Sequence, residues 1–538
     1  MSPEGLTLFV NGLIRTMDDH RPTVEAVAIK HGRFAAIGSN EEILALRSAA
    51  GRSGDHPTEV VDLGGLTVVP GLIEGHIHLF WLGQSLSQLD LSGCRSIVEM
   101  RHLISERVKV TSPGAWITGW GWHQERFDEK RDPCLADVDD ITQSNPLYLI
   151  RSCTHTALVN TAALRRAKIV RETADPGGGR IVRGPEGEPT GLLHENAMHL
   201  VAGSIPAPAE SERIEMLRSA MRHMASFGVT SVHSIDSGCW GLFEKIRASG
   251  DMPIRVYSDE PLTSEDEIRC VRRRTGHGDE WLRTGSIKFW ADGAFGPRTA
   301  ALREPYHDDP GNSGLLVHEP AALKRLVAAA TSVGRQVTIH ALGDRTMDVS
   351  LDAIEEGVRL GARRPRIAHC GLVDEGILRR MVSLGVVADL QPVFIPCEYG
   401  WMPGRVGPAR DRMTYLIRTL MEAGVRCTAG SDAPVSRADP MIGIFGAVTR
   451  LGLDGQPAGG WNPAERVPVH DALAMFTRNG AYAEFAEDRK GIVREGYFAD
   501  MAVLSQDIFT IDPMRIPATR ALMTVAGGSI RWRAPEME

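Results

Sequence analysis

Residues 67–80 read TVVPGLIEGHIHLF, and the interpretation of the whole chain starts from them. If residues 72–79 form a strand, its side chains alternate between two faces, so His76 and His78 point the same way and Ile77 points the other way. Two imidazoles on one face, at the end of a short buried strand, suit a divalent metal. Taken alone, the pair is equally consistent with two structural histidines, and the rest of the sequence has to decide.

The composition is typical of a globular protein that could contain more than one domain. The chain has 538 residues, 43% of them apolar and 24% charged, and a formal net charge of -8. This charge and the lack of a basic run argue against a nucleic-acid or anionic-membrane partner. No stretch approaches the roughly 18 apolar residues of a membrane-spanning helix, and the first residues do not resemble a secretory signal. The eight cysteines form no CxxC pair, which favours reduced thiols and a cytoplasmic protein.

Both ends of the chain are predicted to be rich in β-strands. Short strand-like runs separated by turns fill residues 6–69, and strands return at 499–505 and 529–532. We therefore predict one small β-sandwich domain built from both termini, residues 1–69 plus 485–538. The alternative is two unrelated extensions at the edges of the fold.

The middle of the chain, from about residue 211 to 480, alternates between strand and helix patterns. This alternation is the sign of βαβ units and a parallel sheet. With the strand that contains His76, the predicted strands are 72–79, 229–235, 254–258, 286–291, 337–342, 366–370, 386–390 and 426–431. Eight parallel strands predict an α/β fold, a (β/α)8 TIM barrel over residues 70–484, with its active site at the carboxyl ends of the strands.

A long insertion, residues 85–210, separates the first and second barrel strands. A long ordered insertion at the carboxyl face of a barrel typically acts as a lid or a substrate subdomain. The insertion contains Trp116, Trp120 and Trp122. These rings could line an apolar substrate pocket or pack in the core of the inserted subdomain, and both interpretations stay open.

Six residues able to bind or influence a metal fall at the ends of the predicted barrel strands: His76, His78, Lys288, His340, His369 and Asp432. Each one alone has an ordinary structural explanation, but six at one end of one barrel predict a metal site. Imidazoles and carboxylates are the usual ligands of catalytic zinc, which keeps one position open for water. The metal lowers the pKa of that water to about 7, and a nearby carboxylate can carry its proton to a leaving nitrogen.

Lys288 is unusual because it interrupts an apolar strand. Burying its ammonium group costs several kcal/mol unless the charge is paired or chemically changed. Carbamylation by carbon dioxide would convert the cation into an anion able to bridge two metals. The alternative is an unmodified lysine paired with an acid such as Asp292.

Motifs along nearly the whole chain identify a family resemblance. The barrel motifs are PGLIEGHIH at 70–78, KFWADG at 288–293, HALGD at 340–344, RIAHC at 366–370 and GSDAPV at 430–435. The insertion adds WGW at 120–122, His155 and GLLHE at 191–195, and the C-terminal part adds Gly491-Ile492, Gly496 and Ala499-Asp500. With these motifs the chain resembles the amidohydrolase superfamily, in the family 3 branch that contains N-substituted formamide deformylases and YtcJ-like hydrolases.

The resemblance implies a role for each candidate residue. It implies that His76, His78 and Asp432 bind a first Zn²⁺, that His340 and His369 bind a second, and that a carbamylated Lys288 bridges them. It also implies that Asp432 carries the proton and that His155 contacts the substrate or its oxyanion. Whether one or two metals bind is left open.

Two positions depart from the pattern of the superfamily. Glu74 stands where an aspartate is usual, and Ala368 stands where an acid often precedes the histidine. Neither position is a metal ligand, so the departures concern the polarity around the ligands.

The sequence therefore predicts a metal-dependent amidohydrolase that cleaves a C–N bond other than a peptide bond. A linear carboxamide or an N-substituted formamide is the preferred substrate. A deaminase, a cyclic amidase, or an esterase or lactonase using the same metal centre is the alternative. A noncatalytic barrel scaffold is disfavoured because the ligand set is intact. The expected partner is a small molecule, with a homodimer suggested only by the frequency of such assemblies.

Overall fold

The computed structural model describes residues 5–50, 59–151 and 155–537. The chain divides into two compact units, residues 1–82 with 217–538, and residues 83–216. In chain order the strands are β1 (Thr7–Val10), β2 (Leu13–Arg15), β3 (Thr23–Val24), β4 (Ala26–Lys30), β5 (Arg33–Gly38), β6 (Glu59–Asp62), β7 (Thr67–Pro70), β8 (Leu72–Ile77), β9 (Leu89–Asp90), β10 (Ile117–Trp122), β11 (Leu147–Arg151), β12 (Thr156–Val159), β13 (Gly179–Arg183), β14 (Pro189–Glu195), β15 (Val229–Ile235), β16 (Arg255–Pro261), β17 (Leu282–Trp290), β18 (Val337–Ala341), β19 (Arg366–His369), β20 (Val387–Leu390), β21 (Arg426–Ala429), β22 (Met501–Leu504), β23 (Ala521–Ala526) and β24 (Ser529–Arg533).

In chain order the helices are α1 (Asn40–Ala50), α2 (Leu79–Ser87), α3 (Ile97–Val110), α4 (Leu135–Val138), α5 (Thr161–Arg166), α6 (Met198–Ala202), α7 (Glu210–Ala225), α8 (Trp240–Ala248), α9 (Glu265–Cys270), α10 (Pro320–Ser332), α11 (Asp344–Arg359), α12 (Glu375–Ser383), α13 (Ile395–Glu398), α14 (Met402–Val406), α15 (Pro408–Asp411), α16 (Arg418–Glu422), α17 (Pro440–Thr449), α18 (Val469–Met475) and α19 (Arg478–Ala483).

The first unit contains an eight-stranded parallel sheet that curls into a barrel. Its strands follow the order β8-β15-β16-β17-β18-β19-β20-β21. Main-chain bonds join the two ends of the sheet: the Asp432 N–H donates to His76 O at 2.8 Å, and the His78 N–H donates to Ala433 O at 3.0 Å. The predicted (β/α)8 barrel is confirmed.

The barrel strands and helices follow from their apolar patterns. Every residue of β8 and of β15 is buried, as parallel strands covered by helices require. On α11, Met347, Leu351 and Ile354 are buried at helical spacing and form the face that packs inward. Gly75 in β8 has no side chain because a Cβ there would lie 2.8 Å from Ala429 O, across the join of the barrel.

The first unit contains two further sheets, and the larger one combines strands from both ends of the chain. A six-stranded sheet has the order β24-β23-β22-β7-β2-β3, and a four-stranded sheet has the order β5-β4-β1-β6. In the first of these, Pro70 of β7 pairs antiparallel with Met501 of β22. Phe9 and Val27 from the smaller sheet share one apolar core with Val68 and Val503 from the larger. The predicted sandwich of N-terminal and C-terminal strands is therefore present in the fold.

The second unit, residues 83–216, is built on its own six-stranded mixed sheet, β13-β14-β12-β11-β10-β9. Trp122 is fully buried, and its indole N–H donates to Leu149 O at 3.0 Å, so this ring is a core residue. Trp116 packs partly buried against a second apolar cluster, while Trp120 is exposed. Core packing thus explains Trp122 fully and Trp116 in part, and it does not explain Trp120.

Several predicted boundaries differ from the structure because tertiary contacts override the local pattern. The strand predicted at 72–79 ends at Ile77, and α2 begins at Leu79, so His78 lies in the link between them. The sequence pattern also predicts a helix at 413–423. The structure reduces it to α16, because the Tyr415 N–H donates to Gly371 O at 3.1 Å and φ of Tyr415 is +47°. Strand β23, an apolar run of six buried residues, was not predicted.

The described cysteines and helices add two observations. Seven cysteines have free thiols in the part of the chain that the structure describes, while Cys153 lies outside the described residues. Among the described helices, none combines the length and the apolar character needed to cross a membrane.

Candidate metal centre

His76 and His78 both direct one ring nitrogen towards Asp432. His76 Nδ1 lies 2.8 Å from Asp389 Oδ2, and His78 Nδ1 lies 2.9 Å from Ile235 O. The opposite nitrogens, Nε2, lie 3.6 Å and 3.2 Å from Asp432 Oδ1. A hydrogen bond at Nδ1 leaves the Nε2 lone pair of each ring available to a metal.

Asp432 follows β21 with φ of +58°, and its main-chain bond to His76 O fixes its position. Its Oδ1 is buried and has no hydrogen-bond partner among the described residues. Burial alone would raise the pKa of Asp432, but the contact with His78 and the charges of His76 and Lys288 outweigh burial and lower it. The carboxylate is therefore ionised at neutral pH, as a metal ligand must be.

Lys288 lies on β17 with its side chain buried beside these groups. Its Nζ is 3.1 Å from His76 Nε2. Burial lowers the pKa of Lys288 to about 8, although the nearby Asp432 and Asp389 charges favour the cation. The predicted alternative partner, Asp292, is occupied elsewhere: its carboxylate accepts four hydrogen bonds, from the N–H groups of Ala301, Leu342 and Gly343 and from Thr346 Oγ1.

His340 and His369 lie side by side at the ends of β18 and β19, with ring centroids 4.4 Å apart. The His369 ring is 5.2 Å from the His76 ring, and φ of His369 is +74°. His340 Nε2 lies 2.9 Å from Gly293 O. Burial lowers the pKa of His340 to about 3 and lowers that of His369 as well, so both imidazoles are neutral. His369 Nδ1 is buried without a hydrogen-bond partner in the described part of the chain.

The residues fit a divalent metal. One ligand atom from each of His76, His369 and Asp432 lies within 4.8 Å of the other two, and all three side chains are buried. Neutral imidazoles and an ionised carboxylate are ligands that zinc and similar metals prefer. The two orphaned atoms, Asp432 Oδ1 and His369 Nδ1, give an independent reason, because a buried polar atom without a partner is costly unless a ligand satisfies it.

His155 is the one candidate residue that does not belong to the first unit. It lies immediately before β12 in the second unit, exposed, with Nδ1 3.0 Å from Glu195 Oε2. The six candidate residues at the strand ends all lie in the first unit: His76, His78, Lys288, His340, His369 and Asp432.

Three buried ionisable residues next to the candidate ligands were not predicted as part of the site. Asp389 and Arg366 join each other at 2.8 Å and contact His76 through Asp389. Glu74, noted in the sequence only as a departure, accepts the N–H groups of His76 and Ser431 through Oε1, and burial raises its pKa to about 8. All three residues carry the sequence signal that identifies Lys288, which is an ionisable residue inside an apolar strand.

Comparisons with known proteins find similar sequences and structures over most of the chain. The sequence model of the amidohydrolase family matches residues 59–531. YtcJ of Bacillus subtilis (strain 168) is 33% identical over 526 residues, 96% of this chain and 98% of that protein. The N-substituted formamide deformylase of Arthrobacter pascens is 27% identical over 551 residues, 98% of each chain. The crystal structure of an uncharacterized metal-dependent hydrolase from Pyrococcus furiosus matches with a TM-score of 0.77 and 28% identity, over 94% of this chain and all of that one.

Proposed function

Because the chain belongs to the amidohydrolase family, we propose that it hydrolyses a linear carboxamide, with N-substituted formamides as the preferred class. The chain is a metal-dependent hydrolase that acts on C–N bonds other than peptide bonds. The observation that carries the proposal is the cage of buried imidazoles around an ionised Asp432. The preference for formamides rests on the relative of Arthrobacter pascens, which is named for that activity and matches along its whole length.

The proposed ligands divide into two groups. His76, His78 and Asp432 would hold one Zn²⁺, and His340 and His369 would hold a second where two ions bind. A divalent metal in this cage supplies polarisation of the substrate carbonyl and lowers the pKa of a water molecule. Asp389 and Ile235 O accept hydrogen bonds from Nδ1 of His76 and of His78, which keeps the two rings oriented for that purpose.

Asp432 is proposed to move the proton of the reaction. Its Oδ1 faces the Nε2 atoms of His76 and His78, beside the proposed position of the metal, where it can take a proton from the attacking water. The same carboxyl group then protonates the leaving nitrogen, which lets the amine depart. Its main chain is anchored to His76 O, so the carboxylate stays beside the ligands through both transfers.

Lys288 is proposed to act as a carbamate. Its Nζ lies 3.1 Å from His76 Nε2, inside the group of ligands, where a cation would repel a metal. Addition of carbon dioxide to the uncharged amine forms an N–C bond and releases one proton, and the product is an anionic oxygen ligand.

His155 is proposed as a contact to the substrate or to its oxyanion.

Three further features are proposed together. The composite sandwich would comprise residues 1–69 and 485–538, the barrel residues 70–484, and the lid or substrate subdomain residues 85–210. The scattered cysteines support a cytoplasmic location, and the frequency of twofold assemblies supports a homodimer.

A substrate screen with zinc-loaded protein tests the proposal. The panel contains N-formyl amines, N-acyl amino acids, cyclic amides, aminoheterocycles and simple esters, and mass spectrometry measures the products. We expect release of the amine and of formate or another carboxylate from linear amides, and no release by Asp432→Asn. Cleavage confined to esters, cyclic amides or aminoheterocycles would contradict the proposed substrate and favour the corresponding alternative.

A further inference from the structure

A chain of buried charges connects the candidate metal centre to the barrel interior. Its members come from four different strands, β16, β19, β20 and β8, and are Asp259, Arg366, Asp389 and His76. Arg366 Nη1 lies 3.3 Å from Asp259 Oδ2, Arg366 Nη2 lies 2.8 Å from Asp389 Oδ2, and the same oxygen lies 2.8 Å from His76 Nδ1. The side chains of Asp259, Arg366 and Asp389 are completely buried.

Arg366 reaches His76 by two routes. The first passes through the Asp389 carboxylate to the imidazole. The second is a bond of 2.7 Å from Arg366 Nη2 to Gly75 O, on the residue directly before His76. One guanidinium nitrogen therefore holds both the backbone that carries the ring and the carboxylate that orients it. We infer that Arg366 is a positioning residue, which through Asp389 and Gly75 aims His76 Nε2 at the metal.

Electrostatics support the same assignment. An unpaired carboxylate in a fully buried position is costly, so Asp389 needs a cation to remain an anion beside His76. Arg366 supplies that cation, with Nη2 2.8 Å from Asp389 Oδ2. An ionised Asp389 accepts a hydrogen bond from the Nδ1–H of His76 and thereby keeps Nε2 free to bind a metal.

The planar fork of arginine is required by this arrangement. Arg366 contacts Asp259, Asp389 and Gly75 O from two nitrogens, in directions that a single ammonium group cannot reproduce. Arg366→Lys therefore keeps the positive charge and removes the geometry, which makes it the informative variant. Arg335 offers a matched control: it is equally buried and contacts Glu260 and the carbonyl oxygens of Gly285 and Ser286, none of them a candidate metal ligand.

The test measures metal retention, not activity. Zinc-loaded wild type, Arg366→Lys, Asp389→Asn and Arg335→Lys are dialysed against increasing chelator, and the zinc per folded chain is determined by elemental analysis. Circular dichroism and thermal unfolding monitor the fold. Loss of a partner that orients a metal-binding histidine typically weakens metal affinity by about 10- to 100-fold. We expect Arg366→Lys and Asp389→Asn to release zinc at correspondingly lower chelator concentrations, while Arg335→Lys releases it as wild type does.

The outcomes separate this inference, which rests on the proposed function, from that function itself. Wild-type retention of zinc by folded Arg366→Lys and Asp389→Asn overturns the positioning role, as does an equal loss in Arg335→Lys. If Arg366→Lys fails to fold, the zinc retention of Asp389→Asn decides. Wild-type retention overturns the positioning role, and release at lower chelator concentrations supports it. A wild type that retains zinc but cleaves no amide contradicts the proposed substrate and leaves the role of Arg366 intact. A wild type that binds no metal overturns both.

Discussion

The Asp432 N–H donates to His76 O at 2.8 Å, so the bond that joins the last barrel strand to the first also connects two candidate metal ligands. Glu74 reinforces this join, because its Oε1 accepts the N–H groups of His76 and Ser431 at 3.1 Å and 2.8 Å. The candidate metal site and the closure of the barrel therefore depend on the same few residues, and a change at the join should affect both.

Gly75→Ala tests that dependence. Its Cβ would lie 2.8 Å from both Ala429 O and Thr428 Oγ1, so β8 and β21 would have to separate. We expect the free energy of unfolding to fall by about 1–3 kcal/mol and the zinc content to fall with it. The control is Gly241→Ala on α8, where a Cβ meets no atom within 4 Å and should leave stability unchanged or slightly raised. Urea unfolding and elemental analysis provide the two measurements; equal stability of the two variants would contradict the strained join.

Metal removal should abolish activity. Purified protein is expected to contain one or two zinc ions per chain, and a chelator should remove them together with hydrolysis of the best amide substrate. Readdition of zinc should restore the rate. Elemental analysis and a product assay on the same samples give the result, and full activity in protein shown to be free of metal would refute the metal-dependent mechanism for this chain.

Asp432→Asn separates proton transfer from folding. Asparagine cannot accept the proton of the attacking water, and loss of a general acid–base group typically lowers kcat by about 10²- to 10⁴-fold. Asp439→Asn is the matched control, since Asp439 caps α17 through a bond of 2.9 Å from the Met441 N–H and asparagine caps helices equally well. Steady-state kinetics with a linear amide measure the effect. Normal turnover by Asp432→Asn at full zinc occupancy would place the proton carrier elsewhere.

Lys288→Ala tests the carbamate. Removal of the bridging anion should lower both zinc content and activity, and short carboxylic acids such as acetate or propionate should restore part of each by occupying the vacated space. The same acids added to wild type serve as the control. A crystal structure with full metal occupancy and an unmodified Lys288 amine would exclude the bridge, and so would a fully loaded and active Lys288→Ala.

The barrel could be predicted, and the candidate metal ligands selected, because each depends on a local pattern. Apolar runs separated by helical segments define the strands, and a polar residue at the end of such a run, such as His369, stands out in one dimension. Asp389 and Arg366 carry the same signal, yet their importance depends on which strands face each other across the barrel interior, and spacing does not show that. Tyr415 illustrates the converse, where a bond to Gly371 O replaces the helix that the local pattern indicates.

Glu484 should contribute to stability in a pH-dependent way. The carboxylate is buried, pairs with Lys490 Nζ and lies 3.4 Å from His233 Nε2. Burial alone would raise the pKa of Glu484, but Lys490 and His233 outweigh burial and lower it from 4.5 to about 2. Because the folded-state pKa lies below that of the unfolded chain, this stabilisation is complete above about pH 4.5 and is lost as the pH falls towards 2.

Glu484→Gln cannot titrate, so its free energy of unfolding should decline less than that of wild type between about pH 5 and pH 2, with a maximum difference of about 3 kcal/mol. At pH 7 the same variant should be less stable than wild type, because Lys490 remains buried without its carboxylate. The control is Glu422→Gln, which removes a carboxylate from an exposed helix pair with Arg418 and should follow the wild-type pH dependence. Urea unfolding at a series of pH values measures all three proteins. Parallel pH dependence for wild type and Glu484→Gln would show that the pair does not stabilise the fold through this titration, since only an ionised Glu484 forms an ion pair with Lys490.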